Sequence, residues 1–285
     1  MLEDPAIREW LGGIEPAWTM LDQDSFVALR RPPSPIFGPI RLAADLTPDE
    51  LRQSAVARNA LVLLSAADVG PGLKLTAKGN LSRAVVAELT DRMDWPDFNK
   101  AAMFQVCKVI NETDFFPLHM LRHMAQGARL IRRHNGHFRT APAGRKMARE
   151  PNLRALQAVL FHITFWYLDL AYFTWSSYDG WPQRDAGLIL WSLSVAAHDW
   201  QSPERLTRLC AIPPGELFAG PWDTAASTLE ARLLRYLTWF GLLERREAER
   251  EPGQVVARRW YRKTALFDRF LSFDVHLTTP GAPRH

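Results

Sequence analysis

Residues 116–141, FPLHMLRHMAQGARLIRRHNGHFRTA, contain the pattern that decides the fold. A helix is predicted from about Pro117, followed by a strand, the dipeptide Asn135-Gly136 and a return strand. Asn and Gly both tolerate the positive φ angles of a two-residue turn, so this dipeptide is the strongest hairpin signal in the chain. A helix, a strand, a turn and a strand in this order form the second half of a winged helix-turn-helix module. The stretch therefore predicts a winged-helix-like unit.

A strand that ends in Thr and runs into a helix occurs three times, and the pattern becomes less complete from the first copy to the last. The Thr hydroxyl at the end of each strand is predicted to cap the free amides of the helix that follows. The three copies are GLKLTAKGNL at 72–81 with Thr76, HFRTAPAGRKM at 137–147 with Thr140, and RWYRKTALFDRFL at 259–271 with Thr264.

The last copy is preceded by further elements of the same module. A helix is predicted over Leu188–Trp200, and residues 202–204, Ser-Pro-Glu, are typical of a capped start for a second helix that ends at Cys210. Gly241 is placed to stop a third helix, before two strands joined by a charged tip at 247–253. A helical bundle that carries hairpins is the alternative. The inward face of the third helix is predicted to be Leu229, Leu233, Leu237 and Phe240.

The N-terminal segment predicts an arm. Four prolines fall within RRPPSPIFGPI at 30–40, which disfavours helix and favours an extended path over the surface. Residues 47–50, Thr-Pro-Asp-Glu, then combine a cap, a first-turn proline and two acids, and predict a helix to about Ser65.

These patterns predict a mainly α protein with short β-hairpins, made of tandem winged-helix-like units and an aromatic-rich helical domain. The predicted domains are an extended proline-rich arm (1–44), a helical N-terminal unit with a short strand (45–95), a basic winged-helix-like unit (96–150), a helical domain that ends in a second winged-helix-like unit (151–273), and a flexible tail (274–285).

The composition is that of a globular protein, with 47% hydrophobic and 23% charged residues. The net charge of +4 permits a polyanionic partner but does not require one. Cys107 and Cys210 lie far apart and outside any metal-ligand spacing, which favours a reducing compartment. The most apolar stretch, Leu156–Trp175, contains His162 and Asp169 and is therefore interpreted as a core helix rather than a membrane span. We expect a cytoplasmic protein with no membrane partner.

The charge map gives the main functional hypothesis. No Asp or Glu occurs between Phe115 and Arg149, whereas Arg and His are frequent there. Arginines on a wing would bind phosphates, and the exposed face of the helix, predicted to carry His119, Arg122, His123 and Gln126, would read bases. In the alternative interpretation the arginines solvate the surface or pair with acids such as Glu112 and Asp114. The candidate nucleic-acid-binding residues are Arg122, Arg129, Arg132, Arg133, His134, Asn135, His137, Arg139, Arg145 and Lys146.

Other constellations are weaker. His119 and His123 share a helix face, but no glutamate lies between them and no third ligand is near, so no metal site is predicted. His162, Trp166 and Asp169 also share a predicted helix face, where an acid/base pair and a satisfied core pair are both open. Six of the eleven tryptophans lie between residues 166 and 222, which indicates a packing seam or, alternatively, a ligand pocket. No phosphate loop, nucleophile elbow or cysteine cluster is present, so neither a catalytic residue nor a cofactor is predicted.

Four stretches carry a resemblance to a known group of proteins. Their residue sequences resemble those of a family of uncharacterised bacterial proteins. A similar helical region occurs as a C-terminal extension of plasmid open-reading-frame-three-type proteins. The resemblance covers about residues 45–273 and implies a single architecture, but no activity and no functional residues. The stretches are LKLTAKGNLSRAVVAEL at 73–89, KVINETDFFPLHMLRHM at 108–124, FWYLDLAYF at 165–173 and YRKTALFDRFL at 261–271.

Two hypotheses of function follow from the sequence. The first is a nucleic-acid-binding protein, with DNA as the partner, that uses the basic middle unit. The second is a protein-interaction or scaffolding module whose winged helices bind a protein partner. An enzyme or ligand binder that uses the aromatic helical domain ranks third.

Overall fold

A computed structural model of the chain describes residues 3–32, 38–96, 98, 103, 108–174, 180–218, 224–249 and 257–278. Contacts divide the chain into two compact units. The central unit is Ala43–Leu168, and the split unit combines Met1–Leu42 with Asp169–His285. Both are mainly helical with short antiparallel strand pairs, which confirms the predicted mainly α fold with short β-hairpins. The domain boundaries drawn from the sequence remain a prediction.

The described α-helices and strands have the following bounds. The helices are α1 Pro5–Leu11, α2 Gln23–Leu29, α3 Pro48–Gln53, α4 Ala55–Asp68, α5 Arg83–Arg92, α6 Phe116–Gly127, α7 Pro142–Met147, α8 Leu156–Trp166, α9 Ala186–Ala196, α10 Pro203–Cys210, α11 Thr224–Leu229, α12 Arg235–Trp239 and α13 Ala265–Phe270. A π-helical turn, Glu230–Leu234, joins α11 to α12. The strands are β1 Ile40–Leu42, β2 Leu73–Lys74, β3 Ile131–His134, β4 His137–Thr140, β5 Leu243–Glu247, β6 Arg259–Lys263 and β7 Leu271–Phe273.

The capped start at Thr47 is confirmed, but the helix that follows is shorter than predicted. The Thr47 hydroxyl accepts from the Glu50 amide at 3.2 Å, and the Glu50 carboxylate accepts from the Thr47 amide at 2.7 Å. The chain leaves the helix at Ser54, whose extended backbone and hydroxyl cap a second helix, α4, through the Ala57 amide at 3.1 Å. A serine that can satisfy a free amide favours a helix start over a helix interior, so the single predicted helix is two.

The predicted hairpin in the central unit is confirmed. β3 and β4 pair antiparallel from Ile131↔Thr140 to His134↔His137. Asn135 and Gly136 have φ angles of 46° and 72°, as a two-residue turn of this hand requires. β2 adds to the other edge of β4, so the sheet order is β2-β4-β3. Helix α4 packs against β4, α6 and α8 on the inner side.

Gly72 permits the close approach of β2 to β4. Its φ is +92°, and a Cβ atom at this position would collide with the carbonyl oxygen of Phe138. Only glycine combines that backbone conformation with the absence of a side chain. The glycine before β2 is therefore part of the reason that this two-residue strand joins the sheet.

The predicted extended arm is wrong for much of its described part. Residues 5–11 and 23–29 are helical, and the Asp4 and Asp22 carboxylates cap them by accepting from Ala6 and Ser25 amides. β1 then pairs antiparallel with β7. The prolines at 30–40 disfavour helix only locally, whereas Asp4 and Asp22 cap helices that lie before them. Residues 33–37, which include two of those prolines, lie outside the described residues.

The beginning of the predicted flexible tail is also held in place. The Asp274 amide donates to Pro39 O, the His276 amide to Ser25 Oγ and the Thr278 amide to Met20 O, each at 2.8 Å. The prediction of a flexible tail over 274–285 is therefore wrong for residues 274–278, because their backbone is hydrogen-bonded to the N-terminal segment. Residues 279–285 lie outside the described residues.

The predicted start and stop signals at Ser202 and Gly241 agree with the structure, whereas the helix predicted over Leu188–Trp200 is observed as Ala186–Ala196. The Ser202 hydroxyl caps α10 by accepting from the Arg205 amide at 3.3 Å. Gly241 ends α12 with a φ of 73°, and the Leu242 amide reaches back to Leu237 O at 2.9 Å. The predicted inward face is fully buried: Leu229, Leu233, Leu237 and Phe240.

The same order of elements occurs in both units. In the central unit it is α4, β2, α5, α6, β3 and β4, with β2 beside β4. In the split unit it is α9, a bridge at Gln201, α10, the helical stretch from α11 to α12, β5 and β6, with Gln201 bridged to Tyr261 of β6. Leu73 is paired with Phe138 in the same way. The recurring sequence pattern thus corresponds to a recurring topology.

The predicted capping role of the strand-ending threonines is wrong for α7 and α13. Neither helix has a side-chain cap. Thr140 Oγ1 instead donates to Leu64 O at 2.6 Å, and Thr264 Oγ1 donates to Gly241 O at 2.7 Å. The hydroxyls donate to carbonyl groups of other elements, a contact that the local sequence does not reveal.

Within the described ranges, no helix has the length and apolar character needed to cross a membrane.

Cys210 is a buried free thiol, and burial raises the pKa of the thiol, so Cys210 is a poor nucleophile. Cys107 lies outside the described residues.

Candidate functional site

One face of the central sheet concentrates basic side chains. The register pairs Arg132 with Arg139, and His137 with both His134 and Lys74. Directly paired residues project from the same side of a sheet, and alternation along each strand brings these pairs to one side. We call this surface the cationic sheet face. It consists of Lys74, Arg132, His134, His137 and Arg139.

The opposite side of the sheet faces the core, which fixes the orientation of the cationic sheet face. Leu73, Ile131 and Phe138 alternate with the basic residues, and each is at most 3% exposed. Because strand side chains alternate, burying these apolar residues turns their charged neighbours outward. The basic face is therefore a consequence of the hydrophobic pattern.

The charges on this face are not neutralised by nearby acids. Lys74, Arg132 and His134 are exposed, and His137 and Arg139 are half-buried. Among the residues that the structure describes, no carboxylate forms an ion pair with Lys74, Arg132 or Arg139. The Nε atom of Arg139 is buried without a hydrogen-bond partner in the same set. Unpaired guanidinium groups on one surface favour an anionic partner.

Arg133 extends the basic surface around the sheet edge. Its guanidinium lies 5.6 Å from the Phe138 ring centroid, and Nη2 donates to Gly79 O at 3.3 Å. The side chain is exposed, as is that of Lys78 in the turn that contains Gly79. Stacking and the carbonyl bond hold the guanidinium in position while leaving part of it accessible.

The helix face predicted to read bases is mostly covered. Arg122 and Glu112 form a buried ion pair, with Nε and Oε1 2.8 Å apart and side-chain exposures of 5% and 0%. Nδ1 of His119 lies 2.8 Å from the same oxygen. The assignment of Arg122 to an exposed helix face is therefore wrong, and the alternative pairing with Glu112 is correct for this residue. Gln126 is exposed, whereas His119 and His123 are half-buried.

The environment of this cluster keeps Glu112 charged and His123 neutral. Burial by itself would raise the pKa of Glu112, but hydrogen bonds from His119, Arg122 and the Leu81 amide, with the Arg122 charge, bring it below its ordinary value. Burial, together with the nearby Arg122 and His119, lowers the pKa of His123 to about 3. The cluster is thus a satisfied structural network that joins α6 to the segments before α5 and α6.

The remaining candidate residues lie in different surroundings. Arg129 is exposed just beyond α6, and Asn135 is exposed at the hairpin tip. Arg145 is bound to Asp68, with Nε and Oδ1 2.6 Å apart. Lys146 is exposed on α7. Of these, Arg145 is the one whose charge is balanced by a described acid.

The predicted His162–Asp169 pair does not share a helix face. Helix α8 ends at Trp166, and Asp169 follows it as an exposed residue whose carboxylate accepts from the Ala171 and Tyr172 amides. Burial lowers the pKa of His162, whose ring packs 5.5 Å from that of Trp166. Asp169 therefore caps the backbone amides of the turn that follows it.

Two of the described tryptophans of this cluster lie in the core, whereas Trp166 and Trp200 are half-buried. Trp181 and Trp191 are 1% and 4% exposed. Trp175 and Trp222 lie outside the described residues. In the described ranges, no group of three or more His, Cys, Asp or Glu side chains has an arrangement that could hold a metal ion.

Lys74 is the residue of the cationic sheet face that sequence analysis missed. It belongs to a two-residue strand that the sequence assigns to another domain, 63 residues before its partner His137. The signal that could have identified it is the alternation Leu73-Lys74-Leu75 next to Gly72, which is typical of a short strand with one polar side.

Comparisons with known proteins identify a relationship in this region. Residues 52–153, which lie within the central unit and include the cationic sheet face, match the family model described as the Y4jL N-terminal domain. A protein of Sinorhizobium fredii (strain NBRC 101917 / NGR234), described as "Uncharacterized protein y4jL", is 35% identical over 94 residues.

The match covers 33% of this chain and 42% of that relative, so the chain spans less than half of the relative's length. No solved structure matches the chain. The two similarities support a relationship to an uncharacterised bacterial family, and residues 52–153 are similar to the Y4jL N-terminal domain.

Proposed function

We propose that this chain binds nucleic acid through the cationic sheet face of its central unit, with the phosphate backbone as the main ligand. The observation that carries the proposal is that Lys74, Arg132 and Arg139 share one face and have no described acidic partner. Guanidinium groups bind phosphate oxygens through two parallel hydrogen bonds, so these arginines suit a polyphosphate.

The distribution of charge along the chain supports the proposal. The central unit has 17 Lys and Arg against 11 Asp and Glu, a net charge of +6. The split unit has 18 against 20, a net charge of −2. The modest net charge of the whole chain therefore conceals one basic and one slightly acidic unit. A concentrated positive field raises both the affinity and the association rate for a polyanion.

The order of the elements supports a winged-helix interpretation of the central unit, with the β3–β4 hairpin as the wing. Burial of Arg122 removes it from the proposed interface, and α6 contributes little exposed surface. We therefore propose backbone binding with little dependence on base sequence, which is what phosphate contacts alone provide. We further propose that the partner is DNA and that the protein acts in the cytoplasm. The resemblance to plasmid open-reading-frame-three-type proteins is also part of this proposal.

The test is fluorescence anisotropy with a labelled 30-base-pair duplex over a series of salt concentrations. The variant replaces Arg132, Arg133 and Arg139 by Ala. A control with the same change in charge replaces Arg41, Arg52 and Arg205, which are exposed elsewhere. Each lost phosphate contact reduces the slope of log K against log salt by about 0.9, so the first variant should lose about 2.7 and the control almost nothing.

A protein-interaction or scaffolding module is the second candidate. Tyr167 is 73% exposed at the end of α8, and exposed tyrosines are enriched in protein interfaces. This candidate replaces the first if the wild-type protein fails to bind duplex and single-stranded DNA at low salt.

A further inference from the structure

The second hairpin carries an arginine whose guanidinium lies over the rings of two tryptophans. In the split unit, Cζ of Arg246 lies 5.1 Å from the Trp200 ring centroid and 5.3 Å from that of Trp260. Arg246 is directly paired with Trp260 in the β5–β6 register, so the two side chains share a face. Arg246 is exposed, whereas both indoles are half-buried.

Two of the three described acids on this hairpin are bound to other arginines. Glu244 pairs with Arg262 at 2.9 Å, and Glu247 pairs with Arg245 at 3.1 Å. Within the described parts of the chain, Arg246 forms no ion pair. Residues 243–249 and 257–263 together contain six Lys and Arg and three Glu, so the hairpin is locally basic although its unit is slightly acidic.

Arg246 occupies a position equivalent to one on the cationic sheet face. Tyr261 is bridged to Gln201 as Phe138 is paired with Leu73. Arg245 faces Tyr261 as Arg133 faces Phe138. One residue further along each hairpin, Arg246 therefore corresponds to His134.

We propose that Arg246, which lies over the rings of Trp200 and Trp260, is a second phosphate contact of this chain, in the split unit, for nucleic acid. The inference rests on the proposed function. Contact with two indole rings restrains the guanidinium, and because Arg246 is exposed its N–H groups can donate to an incoming phosphate. A restrained guanidinium loses less conformational freedom when it forms two hydrogen bonds to a phosphate.

The test uses the full-length chain, the labelled duplex and three single variants. Arg246→Ala should reduce the salt slope by about 0.9, because one phosphate contact is lost. Arg246→Lys should keep the slope and bind more weakly than the wild type, because the charge remains while the planar fork is lost. Arg205→Ala, an exposed arginine on α10 of the same unit, should match the wild type.

Tryptophan emission gives a second readout. Duplex binding should change the emission of the wild type, because a phosphate at Arg246 alters the surroundings of Trp200 and Trp260. Arg246→Ala should show a smaller change at saturating duplex.

The outcomes separate the two proposals. If Arg246→Ala retains the slope, the affinity and the emission change of the wild type, while the variant of Arg132, Arg133 and Arg139 loses binding, the second contact is refuted and the proposed function stands. If the wild type does not bind duplex at low salt, both fail. Circular dichroism of each variant verifies that a loss of binding does not come from unfolding.

Discussion

At the scale of single residues, Glu112 is a buried carboxylate of the central unit. Its carboxylate accepts from the Leu81 amide and from Arg122 Nε, and it lies beside His119 Nδ1, with no exposed side-chain surface. A buried charge is tolerated only when partners replace the water that it has lost. Glu112 and Arg122 therefore depend on each other.

Replacing Glu112 by Gln should lower the free energy of unfolding by about 3 kcal/mol, because the Arg122 charge would remain buried without its counter-ion. Urea unfolding followed by circular dichroism measures the loss. The double variant Glu112→Gln/Arg122→Met should lose less than the sum of the two single changes. Additive losses would show that the pair is not energetically coupled.

His123 makes stability depend on pH. Its pKa is about 3 in the folded protein, against 6.5 for an ordinary histidine. Between these values the unfolded chain binds more protons, so stability is complete above pH 6.5 and decreases as the pH falls toward 3. The slope contributed by one such group is at most about 1.4 kcal/mol per pH unit.

His123→Gln should flatten this dependence between pH 6.5 and pH 4.5, a range that lies above the ordinary pKa of 4.5 of Glu112. Urea midpoints at several pH values provide the measurement. His134→Gln, at an exposed histidine near the hairpin turn, is the control and should keep the wild-type slope. An unchanged slope in His123→Gln would argue against a neutral His123.

At the scale of elements, the helices before the two hairpins end in the same way. After α6 the Leu130 amide donates to Ala125 O at 2.8 Å, and after α12 the Leu242 amide donates to Leu237 O at 2.9 Å. This cap requires a residue with positive φ, which is Arg129 in the central unit and Gly241 in the split unit. Arginine is strained in that conformation and glycine is not.

Arg129→Gly should therefore raise the free energy of unfolding by about 0.5–1 kcal/mol, whereas Gly241→Ala should lower it by about 1 kcal/mol. Urea unfolding of both variants tests the pair. A decrease for Arg129→Gly would mean that the arginine side chain contributes more through its contacts than its backbone strain costs.

At the scale of the whole molecule, the central unit has its own core and a net positive charge, whereas the net charge of the split unit is slightly negative. Leu63, Leu118 and Phe138 are fully buried within it. A chain of this length buries enough apolar surface to fold alone. Expressed by itself, the segment 43–168 should show a helical spectrum and a cooperative urea transition. It should also retain salt-dependent duplex binding, since it contains the cationic sheet face. An unfolded fragment would contradict the first expectation.

Local features could be predicted from the sequence because they depend on a few neighbouring residues. The turn at Asn135-Gly136, the caps at Thr47 and Ser202 and the stop at Gly241 each follow from backbone angles or from hydrogen bonds across at most five positions. The basic stretch between Phe115 and Arg149 was equally visible. These features determined a mainly helical protein with hairpins and one basic region.

The tertiary structure decided which of the basic residues are available to a partner. Arg122 and Arg132 look alike in the sequence. Arg122 is nevertheless buried and paired with a carboxylate ten residues before it, whereas the register of β3 leaves Arg132 exposed. Lys74 joins the same face through a strand pairing across 63 residues, and Arg246 meets Trp200 across 46. Local pattern cannot specify such contacts, because they arise from packing between elements that are distant in the chain.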